Sequence, residues 1–205
     1  MRARHRAEVA RVRAAFDREA AARGFRLEAA QQRAADRLAV LAADLATGRP
    51  ARGAYLVGPV GRGKSFLLGV LAQEVPGARR VHLHSCLREL NAAVHAHRGS
   101  RTAVADALAD LLAGCRLLCF DEVAVHDPGD AALLTRLLRE LGARGAALAA
   151  TSNSPVADLL PDPQFHHLFL PGIALLGELV EEVAVAGPVD HRGAPVGRRS
   201  GFAAG

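Results

Sequence analysis

The sequence predicts an α/β protein, a five-stranded parallel sheet flanked by helices and preceded by a helical segment. Three observations carry this. From about residue 51 onward, short apolar runs alternate with segments of helical period, the pattern of strands joined by crossover helices. The first run leads into Gly58-Pro59-Val60-Gly61-Arg62-Gly63-Lys64-Ser65, which fits the phosphate-binding pattern G-x-x-x-x-G-K-[ST]. A later run, Leu117-Leu118-Cys119-Phe120, ends in two acids, Asp121-Glu122.

The elements follow in order. Residues 3–22 read as a charged, alanine-rich helix that Gly24 breaks. A second helix spans about 28–46, with Leu38, Leu41, Ala42 and Leu45 at helical spacing, and Thr47-Gly48-Arg49-Pro50 ends it. Strands are expected at 54–58, 80–84, 116–121, 146–151 and 180–186. Helices are expected at 64–74, 86–97, 102–113, 129–142 and 155–160, with a short one near 172–178. Ser154-Pro155 has the form of an N-cap followed by a first-turn proline. The stretch after Gly187 is rich in Gly, Pro and Arg and reads as loose. The chain thus divides into an N-terminal helical segment (1–50), a core (51–187) and a flexible tail (188–205). No internal repeat is visible.

Composition narrows the field. Half of the 205 residues are apolar and 23% are charged, as suits a soluble globular chain. Tryptophan is absent and tyrosine occurs once, so nucleic acid would find little to stack on, and its binding is not supported. The net charge of +5 comes from arginines spread along the chain. Cys86, Cys115 and Cys119 have no CxxC spacing, so neither a zinc site nor a disulfide framework is indicated, and a reduced cytoplasm is the simplest setting. No apolar run reaches membrane-spanning length. The arginine-rich N-terminus is interrupted by Glu8, Asp17 and Glu19, unlike a targeting peptide.

Of the 26 basic side chains only Lys64 is a lysine, and it falls within the glycine-rich loop. There a compact ammonium can enter a backbone cradle that a planar guanidinium would overfill. Gly58, Gly61 and Gly63 let the backbone curl so that successive N–H groups face a phosphate, and the following helix adds its dipole. The loop Gly58, Pro59, Val60, Gly61, Arg62, Gly63, Lys64 and Ser65, with Phe66 behind it, is therefore the candidate nucleotide cradle. Lys64 would reach the β- and γ-phosphates of ATP, and the Ser65 hydroxyl would ligate Mg²⁺.

In open α/β sheets, ligands sit beyond the carboxyl ends of the strands, so Asp121 and Glu122 would meet the same phosphates. Asp121 suits the Mg²⁺ shell, and Glu122 can act as general base on the attacking water. Asn153, after the fourth strand, can position that water or touch the γ-phosphate. Together these strand ends describe a P-loop phosphohydrolase that carries its catalytic glutamate on a strand end, the ASCE type.

Further segments resemble the ZapE-type (AFG-like) ATPases, bacterial division-associated AAA+ proteins with mitochondrial relatives. They are Phe25-Arg26-Leu27-Glu28 with Gln31, Arg80-Val81-His82-Leu83-His84, Leu118 to Val123 with Asp127, Asp130 and Ala131, Ala150-Thr151-Ser152-Asn153, Phe169-Leu170-Pro171-Gly172-Ile173 and Val189-Asp190-His191-Arg192. The resemblance implies an AAA+ ATPase, a protein partner in division or quality control, and homo-oligomerisation. Two departures stand out. The family's arginine three residues before the FLP element is His166 here, and no arginine occurs between Arg144 and Arg192, which are the nearest substitutes for a finger. Relatives also continue into a helical C-terminal region, so no complete lid is expected, and turnover is expected to be slow or partner-dependent. The alternatives are a nucleotide-dependent interaction module without turnover, or a helicase-loader-like ATPase.

Other constellations read as structural. His82 and His84 would share one face of a strand, without further ligands for a metal. His95 and His97 do not face each other on a helix. Cys119 lies within an apolar run and is expected to be buried. The N-terminal Arg2, Arg4, Arg6, Arg11 and Arg13 read as a solvated helix face.

Overall fold

The structure is a computed structural model that describes residues 1–96 and 102–186. The chain opens with α1 (Arg2–Ala22) and α2 (Ala29–Thr47). The core follows as β1 (Gly53–Val57), α3 (Lys64–Glu74), β2 (Ala78–His82), α4 (Leu83–Ala96), α5 (Ala103–Leu111), β3 (Leu117–Asp121), α6 (Pro128–Ala143), β4 (Ala147–Ser152), α7 (His166–Leu179) and β5 (Val180–Ala184). All strand pairs are parallel, in the order β2-β3-β4-β1-β5. The fold class read from the sequence is the one observed.

Strand alternation divides the core in two. Ala54, Leu56, Leu117, Cys119, Ala147 and Ala149 face one side of the sheet. There they meet Leu67, Leu68 and Leu71 of α3, Leu38, Leu41 and Leu45 of α2, and Val12 and Phe16 of α1. Tyr55, Leu118, Phe120, Leu148 and Ala150 face the other side, against Leu83, Leu87, Leu134, Leu138, Phe169 and Leu176. β3 and β4 are buried along their whole length, which explains their unbroken apolar sequence. Burying a side chain the size of Phe16 contributes roughly 2–3 kcal/mol.

The N-terminal helices are fastened to each other and to α3 as well as packed against the sheet. Arg11 bonds Glu8 and, across the fold, Glu74. Arg13 bonds Asp17 and Asp36, while Arg2, Arg4 and Arg6 are exposed. Among the described residues no helix is long and apolar enough to cross a membrane.

Three elements differ from expectation. β2 begins and ends two residues early, because Ala78 pairs with Leu117 and His82 with Asp121. The chain turns into α4 at buried Leu83, so His84 is helical and does not share a strand with His82. Ser154-Pro155 does not cap an α-helix. Pro155 precedes a single 3₁₀ turn, Val156–Asp158, and the Ser154 N–H bonds back to Ser152 Oγ (3.1 Å). α7 starts six residues before the expected helix and runs through Pro171. Proline there leaves the carbonyl four residues back without its helical donor. That carbonyl belongs to His167, on an exposed turn where water can take its place. The tail beyond Ala186, His97 and the Val189–Arg192 segment lie outside the described residues.

Candidate functional site

The carboxyl ends of β1, β3 and β4 converge on a cleft of about 260 Å³. Its walls are Val60 to Phe66, Glu122, Thr151, Ser152 and Asn153. Gly58 and Pro59 lie behind it. The Gly58 N–H bonds Ser152 O (3.2 Å), and a Cβ on Gly58 would stand 2.3 Å from Val185 O, so the loop leaves β1 only through a glycine. Gly63 takes φ 78° as it starts α3, and a Cβ there would meet Gln31 Nε2 at 2.8 Å. That amide belongs to α2 and donates to Arg62 O (3.2 Å), while Gln31 Oε1 accepts from Glu28 N (2.9 Å). The N-terminal helix start therefore holds the loop in shape.

Lys64 is 8% exposed, and its ammonium donates to Gly58 O (2.6 Å), Pro59 O (2.7 Å) and Asn153 Oδ1 (3.1 Å). The lysine, the loop and the end of β4 are thus already tied together. Two guanidinium nitrogens of Arg62, Nε and Nη1, are buried with no acceptor among the described residues. Phe66 packs edge-on against Phe25 (5.1 Å between centroids) beneath Arg23 (4.9 Å).

Asp121 ends β3 and is 4% exposed. Its Oδ1 accepts from Ser65 Oγ (2.7 Å) and Thr151 Oγ1 (2.9 Å), and its Oδ2 accepts from Arg80. Burial pushes its carboxyl up, but the hydrogen bonds from Ser65, Arg80 and Thr151, with the Arg80 charge, outweigh this and hold it below the usual carboxylate range. A hydroxyl at a helix start (Ser65) beside a carboxylate at a strand end (Asp121) supplies hard oxygen donors of the kind Mg²⁺ selects.

Glu122 is exposed at the cleft and sits at φ 57°. A non-glycine residue there costs about 1–2 kcal/mol. Thr151 braces it, since its Oγ1 accepts from Glu122 N (2.9 Å) and its carbonyl accepts from Val123 N (2.7 Å). One threonine hydroxyl thus fixes both acids. Ser152 Oγ completes the junction by donating to Val123 O (2.7 Å).

The remaining candidates lie elsewhere. His166 opens α7, with Nδ1 3.1 Å from Leu160 O, on a groove of about 500 Å³ shared with Pro161, Pro163, His167 and Leu170. Arg144 caps α6 just before β4, at the end of the sheet opposite the cleft, and bonds Glu140 (2.8 Å). It cannot serve its own cleft. Arg192 lies outside the described residues. Among the described residues no three His, Cys, Asp or Glu side chains are grouped to hold a metal. Cys119 is buried, which pushes its thiol up to about 12.

Motif spacing alone misses Gln31, Arg80 and Thr151, although segments containing all three carry the family resemblance. A charge within a strand (Arg80) and a glycine within a helix (Gly69) were the available signals.

Known proteins bear on this site. Residues 3–200 match the AFG1-like ATPase family. The chain is 38% identical over 146 residues to the cell division protein ZapE of Escherichia coli K12, covering 70% of this chain and 39% of ZapE. It spans about two fifths of that relative. A crystal structure of DnaI superposes with a TM-score of 0.61 at 19% identity, covering 80% of this chain and 86% of DnaI. AMPPCP-bound DnaA from Aquifex aeolicus gives 0.53 at 15% identity, covering 78% and 48%. These two likenesses establish the P-loop fold.

Proposed function

The chain belongs to the AFG1-like ATPase family, and from that premise we propose that it binds Mg²⁺–ATP in the cleft and hydrolyses it. The observation that carries this reading is the pair of contacts across the cleft, Lys64 to Asn153 and Ser65 to Asp121. Loop, β3 and β4 arrive there already organised, as catalysis by positioning requires.

Each residue then has a role. The Lys64 ammonium exchanges its carbonyl partners for β- and γ-phosphate oxygens, and the loop N–H groups and helix start receive the remaining charge. The unpartnered Nε and Nη1 of Arg62 suit an anionic ligand. Ser65 Oγ and the Asp121 carboxylate would hold Mg²⁺, which when bound neutralises charge on the phosphates. Glu122 takes a proton from water as its oxygen attacks the γ-phosphorus, and the bond to the β–γ bridging oxygen breaks to release ADP. Asn153 positions that water or the γ-phosphate.

Turnover by this chain alone is slow in this reading. His166 stands where the resemblance places an arginine, and imidazole lacks a guanidinium's permanent charge and planar fork. A protein partner in cell division or quality control, as the name of ZapE suggests for the bacterial case, and self-association at this surface complete the proposal.

The test is equilibrium binding of ATP with Mg²⁺ together with phosphate release. Wild type binds and releases phosphate, whereas Lys64→Ala lowers affinity by about 100-fold while its circular dichroism spectrum shows the fold retained. Equal binding by the two proteins would overturn the assignment of the site.

A further inference from the structure

One cation in the site has no part in the reaction above. Arg80 projects from edge strand β2 along α3, where its Nη2 bonds both Asp121 Oδ2 and Ser65 O (3.2 Å). Ser65 and Asp121 are the two residues assigned to Mg²⁺, so the guanidinium touches both. Its path has been cleared. A Cβ on Gly69, in the middle of α3, would lie 2.8 Å from Arg80 Nη1. A glycine inside a helix is less favourable than alanine, and here it makes room for the arginine. Asp121 is 4% exposed, and burying its charge without a counter-cation would be costly. Its other bonds, from Ser65 and Thr151, come from neutral hydroxyls. Arg80 is the charged group the structure sets against it.

We propose that Arg80 is a built-in counter-cation that competes with Mg²⁺ for the Asp121 carboxylate. With the site empty of metal, the guanidinium neutralises Asp121 and keeps the Ser65–Asp121 pair assembled. A divalent ion entering beside Ser65 must share the carboxylate with a fixed positive charge. Metal binding is thereby weakened until the nucleotide phosphates add their negative charge, so metal and nucleotide enter together. Arg80 is a positioning residue in this account, since it acts through Asp121.

The inference rests on the Mg²⁺–ATP reading, and one experiment separates the two. A fluorescent ATP analogue is titrated against wild type, Arg80→Gln and Arg80→Lys over a series of Mg²⁺ concentrations, with melting temperatures measured in EDTA. The Mg²⁺ concentration giving half-maximal nucleotide binding falls about three- to tenfold in Arg80→Gln, the size expected for removing one charge near a divalent ion in a solvated site. Arg80→Lys keeps the charge and stays near wild type. In EDTA without nucleotide, Arg80→Gln melts lower than wild type. An unchanged or raised Mg²⁺ requirement in Arg80→Gln, with wild type binding normally, overturns the counter-cation. Failure of wild type to bind nucleotide at any Mg²⁺ concentration overturns the parent reading instead.

Discussion

At the phosphate loop, polar side chains are buried and bonded to one another. At the start of α7, apolar side chains stand in solvent. Lys64, Asp121, Thr151 and Ser152 are all buried, and each has a partner on another element. Phe165, Leu168 and Leu170 are exposed around His166, with Leu168 at 48% and Leu170 at 50%. The first region is bonded within the chain apart from Arg62 Nε and Nη1, which are buried without an acceptor among the described residues. The second leaves its apolar surface uncovered, as a surface completed by another molecule would. In the proposed function, the difference separates a nucleotide and metal site bonded within the chain from a surface where a partner would act.

The largest contrast between the regions is in stability. Thr151→Val removes the donor to Asp121 and the acceptor for Glu122 N, so a cost of about 1–3 kcal/mol in chemical denaturation is expected. Leu168→Ser with Leu170→Ser should stay within about 0.5 kcal/mol per site. Equal losses would break the comparison by showing that the α7 surface is also internal.

The second contrast is kinetic. His166→Arg should raise phosphate release roughly tenfold, a modest fraction of what a well-placed finger supplies. The gain should appear only at protein concentrations where chains associate. A gain that persists at high dilution would place His166 in its own chain's reaction. No gain at any concentration would detach α7 from catalysis.

Much of this was legible in the sequence, and the reasons are physical. The phosphate loop depends on local backbone geometry, which Gly58, Gly61, Gly63 and Lys64 declare directly. β3 and β4 are buried on both faces, so their apolar runs were unambiguous. β2 was displaced because an edge strand exposes Arg79, Arg80 and His82 and carries little apolar signal. The helix expected near 172–178 omits the first turns of α7, because an interior proline such as Pro171 disfavours a continuous helix. Buried Phe169 packs its ring over Gly172, where a Cβ would meet it at 2.1 Å, and this tertiary contact accompanies a helix that runs through the proline. Thr151 and Arg80 act only through contacts across the sheet, which no local spacing encodes.

The smallest effect concerns pH. Asp121 titrates below its ordinary value in the folded protein, so its stabilising contribution is complete above about pH 4, the unfolded value, and is lost as pH falls through the lower folded one. Asp127 follows the same direction, because its carboxylate caps α6 by accepting from Asp130 N (3.0 Å) and Gly129 N (2.8 Å). The melting difference between wild type and Asp121→Asn should be constant from pH 5 to 7 and should shrink below about pH 4. A difference that shrinks already near pH 6 would mean Asp121 titrates above its ordinary range, contrary to a site organised in advance.

In the proposed function, Glu122 activates water beside a nucleotide site assembled from within the chain. Single-turnover hydrolysis of Mg²⁺–ATP by wild type and Glu122→Gln, with ATP affinity measured on the same samples, tests it most directly. Equal affinities and a rate about 100-fold lower in Glu122→Gln are expected. Equal affinities with equal rates would contradict it.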